Sequence, residues 1–131
     1  SKDQMYTFIT LRALAASPLM MGGDLPTLDD FSLKLITHND ILECNQNGVM
    51  GHLVHEADGI EIWNTPKKNS EGGWIGIFNR TEGKKSLNLK PENLGLKNNG
   101  YYKFYDVWKD VNISSLKFSI NPNGVVFIRY S

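Results

Sequence analysis

Near residue 50 the period of this chain changes, and that change limits the fold more than any single residue does. Before it, apolar side chains recur at helical spacing. After it, short β-branched and aromatic runs alternate with Gly, Pro and Asn turns. Ser1-Lys2-Asp3-Gln4 reads as a capping box, the Ser side chain bonding the N3 amide and Gln4 reaching back. Met5, Phe8, Ile9, Arg12 and Ala16 then lie at helical intervals, and Leu11, Ala13, Leu14 and Ala15 widen the apolar face. The predicted helix covers residues 4–16. A helix apolar over most of its girth needs burial on more than one side. Pro18 ends it. Leu19-Met20-Met21 is a short, fully apolar strand, the pattern of a parallel strand buried on both faces, and Gly22-Gly23 breaks it. Thr27 caps a second helix with Asp30 at its third position and Leu28, Phe31, Leu35 and Ile36 inside. Asp40 starts another helical turn that ends near Asn45.

From Gly51 the pattern predicts strands near 52–57, 60–65, 74–80, 85–89, 101–108, 116–120 and 125–130. Seven or so short strands at this spacing argue for an antiparallel β-sandwich. Residues 67–73 make a polar hairpin loop, and Asn121-Pro122-Asn123-Gly124 is a turn before the last strand. Helix, strand and helix followed by seven strands make an odd independent domain. They make sense as the last αβα unit of a (β/α)8 barrel, residues 1–50, followed by a complete sandwich, residues 51–131. The expected class is therefore mainly β, with an αβα barrel remnant in front.

Composition removes several function classes. Lys and Arg number 14, as do Asp and Glu, so the formal charge is zero. A nucleic-acid binder needs a basic stripe to displace counterions, and an anionic membrane surface needs a basic cluster. No apolar run approaches the ~20 residues of a membrane span, and no charged-then-apolar leader opens the sequence. Cys44 is the single cysteine, so no internal disulfide forms; a buried structural thiol is its expected role. His52 and His55 are three apart in a predicted strand and should face opposite sides. No metal-ligand spacing is present. Nor is there a dinucleotide fingerprint, a P-loop or a nucleophile elbow, so no cofactor is expected. Asn79-Arg80-Thr81 and Asn112-Ile113-Ser114 match the glycosylation acceptor pattern, which arises often by chance.

Three groups of residues carry a family resemblance. Leu11, Ala13, Pro18, Leu19, Asp24 and Leu25 fit the pattern L-W-A-x-x-A-[AS]-P-L-x-x-x-x-D-L. Asn45 and Gln46 fit an N-Q-D segment, with Asn47-Gly48 in place of Asp-Pro, and Arg12 stands where Trp is usual. Trp74 to Arg80, Tyr102 to Trp108 and Pro122 to Arg129 fit three strands of a following sandwich. Together they resemble the end of the catalytic barrel and the C-terminal sandwich of α-galactosidases in glycoside hydrolase clan D. Such a barrel takes about 250 residues. The resemblance therefore implies the C-terminal piece of a retaining glycosidase acting on terminal α-linked galactose. It implies a carbohydrate substrate met through the barrel, and a secreted or periplasmic setting. The two catalytic Asp residues would sit on earlier barrel strands; no position here corresponds to either, and the piece alone should be inactive.

The local carboxylates support that view. Asp29 and Asp30 are adjacent on a predicted helix and point about 100° apart, so they cannot face one scissile bond; they read as first-turn acids. Glu56, Asp58 and Glu61 surround the Gly59 turn as a solvated hairpin. Asp24 is the one candidate for substrate contact, because it follows the apolar strand and barrel sites lie at C-terminal strand ends. Its alternative role is to brace the following loop. Trp63, Trp74, Trp108, Tyr101, Tyr102, Phe104 and Tyr105 could stack on sugar, but such rings more often form core or a seam between domains. In the run 101–105, aromatics must fall on both faces. A second reading is an independent, non-catalytic carbohydrate-binding or interaction module. The apolar first helix and the bare strand predict self-association through residues 1–25, by a symmetric dimer or strand exchange, or else local disorder there, with the sandwich from Gly51 remaining folded in either case.

Overall fold

The computed structural model describes residues 2–14, 38–47, 51–67, 72–96 and 102–131. Two helices, α1 (Lys2–Leu14) and α2 (Asn39–Gln46), precede eight strands among these residues. The strands are β1 (His52–Ala57), β2 (Ile60–Pro66), β3 (Gly73–Asn79), β4 (Lys85–Asn88), β5 (Phe104–Asp106), β6 (Val111–Ile113), β7 (Lys117–Ile120) and β8 (Val125–Tyr130). A 3-10 turn, Pro91–Leu94, follows β4. One sheet has the order β1-β2-β3-β8-β5-β6; the other is the pair β4-β7. Every pairing is antiparallel. The mainly β, antiparallel class expected from the sequence is the one observed.

The centre of the larger sheet explains the layering. Every residue of β3 is buried. Trp74 and Phe78 enter one core with Ile9, Ala13, Leu14, Ile41, Cys44, Val107 and Phe127, so this face carries the helices. Ile75 and Ile77 enter a second core with Ile60, Ile62, Leu94, Ile120, Val126 and Ile128, so the opposite face carries the small sheet and the 3-10 turn. A strand covered on both faces reads as a nearly unbroken apolar run, which is what G-W-I-G-I-F is.

Turn chemistry sets the register of the first hairpin. Asp58 and Gly59 both have positive φ, 52° and 81°, the requirement of the two-residue turn whose twist matches its strands. A bulge between Leu53 and His55 then interrupts the alternation of β1. His52 pairs with Asn64 and His55 with Ile62, two positions apart on β2, so the ladder places both His on one side. The expectation of opposite faces fails because one inserted residue resets the period-2 pattern.

Two further differences have local causes. The strand expected over 101–108 is only Phe104–Asp106. Asp106 accepts the Lys109 amide through Oδ1 at 3.1 Å, and its carbonyl accepts the Asp110 amide at 2.8 Å. This folds the chain into a turn, with Asp110 at φ 57°. The turn feeds β6, whose three residues are too few for periodicity to register. The helical turn expected to begin at Asp40 is α2, and its N-cap is His38, whose Nδ1 accepts the Asp40 amide at 3.2 Å. Ser1, Pro18, the strand at 19–21 and the helix after Thr27 lie outside the described residues.

Candidate functional site

The chemistry of the described residues concentrates where the helices meet the large sheet. α1 presents Ile9, Ala13 and Leu14 to that sheet, all buried. Gly76 makes the approach close: a Cβ there would overlap Leu14 Cδ1 and press on the Phe78 ring. The last carbonyl of α1, on Leu14, accepts the Gly51 amide at 2.6 Å and the Thr65 hydroxyl at 3.3 Å. A helix end that has no intrahelical partner is thereby satisfied by the sheet.

A buried carboxylate holds α2. Asp40 receives the Trp74 indole N–H at 3.2 Å. Arg129 Nη1 donates to both of its oxygens at 2.8 Å. The Arg129 guanidinium also lies 4.5 Å above the Tyr105 ring, and the Tyr105 hydroxyl donates to Asp110. On the other side Lys67 Nζ sits 5.4 Å from the Trp74 ring centre. Trp108 ties the same seam to α1, its indole N–H donating to the Thr10 hydroxyl at 2.8 Å. Its ring packs against Tyr6, His38 and Phe127. Trp63, Trp74, Trp108, Tyr102, Phe104 and Tyr105 therefore serve as core and seam, and Tyr101 lies outside the described residues. Tyr102 and Phe104 face the small sheet while Tyr105 faces the helices, so the aromatic run is split between the two faces as required.

Cys44 is buried among these groups, and its thiol is pushed up by burial first, then by Asp40 and Glu43. It is a structural thiol rather than a nucleophile. Glu56 and Glu61 face each other across β1 and β2, but Glu56 is exposed and Glu61 accepts from Trp63 and pairs with Arg80 at 3.6 Å. Asn79, the first residue of one acceptor triplet, is buried, and its Nδ2 donates to the carbonyls of Gly83, Ile120 and Asn121. It fastens two loops together. Asp24, Asp29 and Asp30 lie outside the described residues. Among the described residues no three His, Cys, Asp or Glu side chains are grouped to hold a metal ion. Sequence reasoning passed over the Asp40–Arg129 clamp because its members are 89 positions apart and an acid in the first turn of a helix is its ordinary place.

The described residues thus form an antiparallel β-sandwich with two helices packed and hydrogen-bonded against its larger sheet. The family model of the alpha galactosidase C-terminal beta sandwich domain matches residues 57–130, and the chain belongs to that family. Alpha-galactosidase 2 of Arabidopsis thaliana is 24% identical over 119 residues, which are 89% of this chain and 30% of that protein. Alpha-N-acetylgalactosaminidase of Gallus gallus is 27% identical over 135 residues, 96% of this chain and 33% of that protein. A solved β-L-arabinopyranosidase of Geobacillus stearothermophilus matches with TM-score 0.86 and 25% identity, over all of this chain and 30% of that one. The chain thus spans about a third of the relatives it matches.

Proposed function

We propose that the chain is the C-terminal part of a retaining glycoside hydrolase that removes terminal α-linked galactose. In this reading residues 1–50 close the catalytic barrel and residues 51–131 form the sandwich that braces it. The carrying observation is the Asp40–Arg129–Trp74 clamp, with the Leu14 carbonyl beside it: the sheet of the matched family grips both described helices. A barrel whose closing helices are held this way cannot open at that seam without breaking buried hydrogen bonds.

Retaining hydrolysis needs two carboxyl groups ~5–5.5 Å apart, one as nucleophile and one as acid then base. Asp40 is locked to Arg129 and Asp106 holds a turn, so neither is free for that work. The purified chain should therefore leave an aryl α-galactoside intact; turnover above blank, with host enzyme removed, overturns the reading. In the whole enzyme Asp24→Ala should lower the melting temperature more than kcat, as a loop brace would. A large fall in kcat at unchanged melting temperature would instead put Asp24 in the sugar pocket.

A further inference from the structure

The outer face of the small sheet gathers cations in a chain whose charges balance, 14 against 14. β4 and β7 pair antiparallel, with Leu87 opposite Phe118 and Asn88 opposite Lys117. Leu87 and Phe118 pack inward on the second core, as do Leu89 and Leu116 beyond the strand ends. Ser86, Asn88, Lys117 and Ser119 alternate with them, so they turn outward, and all four are exposed. Two more exposed lysines extend this face. Lys84 alternates with Lys85, whose partner Ile120 is buried. Lys90 has extended backbone, φ −114° and ψ 158°, and alternates with Leu89. Among the described residues, none of Lys84, Lys90 and Lys117 has an ion-pair partner. Glu82 and Glu92 stand beyond the strands, in the bend before β4 and on the 3-10 turn.

The groups on this face select the partner. From Lys84 to Lys90 the strand covers about 20 Å at ~3.3 Å per residue, with Lys117 one strand across, so the charges suit an extended polyanion rather than a single small anion. Single-stranded nucleic acid is held by aromatic rings as well as by cations, and this face carries no ring. An interfacial membrane contact buries apolar side chains, and this face carries none. A neutral sugar would lack a ring to stack on, so charge has to carry the recognition. Between the lysines stand Ser86, Asn88 and Ser119, whose hydroxyls and amide both donate and accept. They match the hydroxyl groups that lie between the charges of an acidic polysaccharide.

We propose that the outer face of β4 and β7 docks a carboxylated polysaccharide chain, its carboxylates on Lys84, Lys90 and Lys117 and its hydroxyls on the Ser and Asn residues between them. The proposal stands on the small sheet and does not depend on the hydrolase reading. Exposed charges in water attract weakly and are screened by salt, so binding is weak and falls as ionic strength rises.

Amide-resolved NMR on the 131-residue chain tests it, with tetragalacturonate added to about 10 mM at low salt. Maltotetraose, tetraglutamate and a thymidine oligonucleotide of equal charge serve as separate arms. Saturable shifts at amides of residues 84–90 and 115–119 are expected with tetragalacturonate alone. Raising NaCl from about 20 to about 200 mM should weaken them about tenfold. Lys84→Gln with Lys117→Gln should weaken binding about tenfold, and Lys84→Arg with Lys117→Arg should retain it. Lys103→Gln should change nothing, since Lys103 is exposed and alternates with Tyr102 and Phe104, which face the small sheet. No saturable shift in those residues overturns the proposal. So do equal shifts with any of the other three probes, an equal loss in Lys103→Gln, or an Arg pair that binds no better than the Gln pair.

Discussion

At position 40 a carboxylate with almost no solvent contact is balanced by one guanidinium and one indole. Removing either side of such a pair is unequal. Arg129→Met leaves a buried charge with only Trp74 to stabilise it, and should cost about 2–3 kcal/mol of unfolding free energy. That figure is set low because the Arg129 side chain is 37% exposed and water screens part of the interaction. Asp40→Asn keeps an acceptor for the indole and the guanidinium, and should cost about 1–1.5 kcal/mol. Urea unfolding of both variants checks the order; a larger loss from Asp40→Asn would contradict it. Asp106 makes a pH-dependent contribution. Burial raises its pKa, against the opposing amides of Lys109 and Trp108. The folded state therefore binds the proton more tightly than the unfolded chain does. The group's stabilising contribution is present below its unfolded pKa of about 3.9, and is lost as pH rises through the folded value. Asp106→Asn keeps an acceptor for the Lys109 amide without the charge. It should raise the melting temperature at pH 7 and lose that advantage by about pH 3. A gap independent of pH would show that the carboxyl is not the cause.

The elements were legible in the sequence to the degree that their patterns were long. β1, β2, β3, β7 and β8 follow from alternating or continuous apolar runs bounded on at least one side by Gly, Asn or Asp. β6 was hidden because three residues, V-N-I, carry no period, and polar neighbours on both sides read as loop. The first helix was legible, but its docking partner was not. An apolar stripe records that a face is covered without recording by what, and the stripe alone pointed to barrel neighbours. In the structure Ile9, Ala13 and Leu14 meet β3 and the strands beside it, at the position that Gly76 leaves open. Nor was the Asp40 clamp legible, since no local pattern links residues on a helix and on the last strand. Asp24, the one site residue drawn from the sequence, lies outside the described residues. The close approach at Gly76 can be tested directly. Gly76→Val inserts a branched side chain under Leu14 and should cost about 1–3 kcal/mol by overpacking. Its mark is selective: amide exchange in α1 should quicken while β2, β3 and β8 stay protected. Equal loss of protection in all four elements would mean that helix and sheet unfold as one unit.

For the molecule as a whole, the question is how much apolar surface still seeks a partner. The sheet satisfies the inner face of α1, which the sequence alone assigned to absent neighbours. Outward, Phe8 is 42% exposed, with Met5 and Leu11 half-buried. Burying one such side chain contributes ~1.5–3 kcal/mol. A micromolar dimer requires about 8 kcal/mol, in addition to the cost of association itself. Phe8 and its neighbours cannot supply that alone. Self-association through residues 1–25, which we propose, must therefore draw on the apolar segment Leu19-Met20-Met21 as well. The two contributions are separable by substitution. Phe8→Ser should weaken association about tenfold, as the loss of one partly buried ring does. Met20→Ser with Met21→Ser should abolish it, because two large apolar side chains are removed at once. Sedimentation velocity from about 10 μM to about 1 mM spans the range in which such a weak dimer forms. A monomer throughout that range would remove the proposal. A dimer indifferent to both changes would place its interface elsewhere on the sandwich.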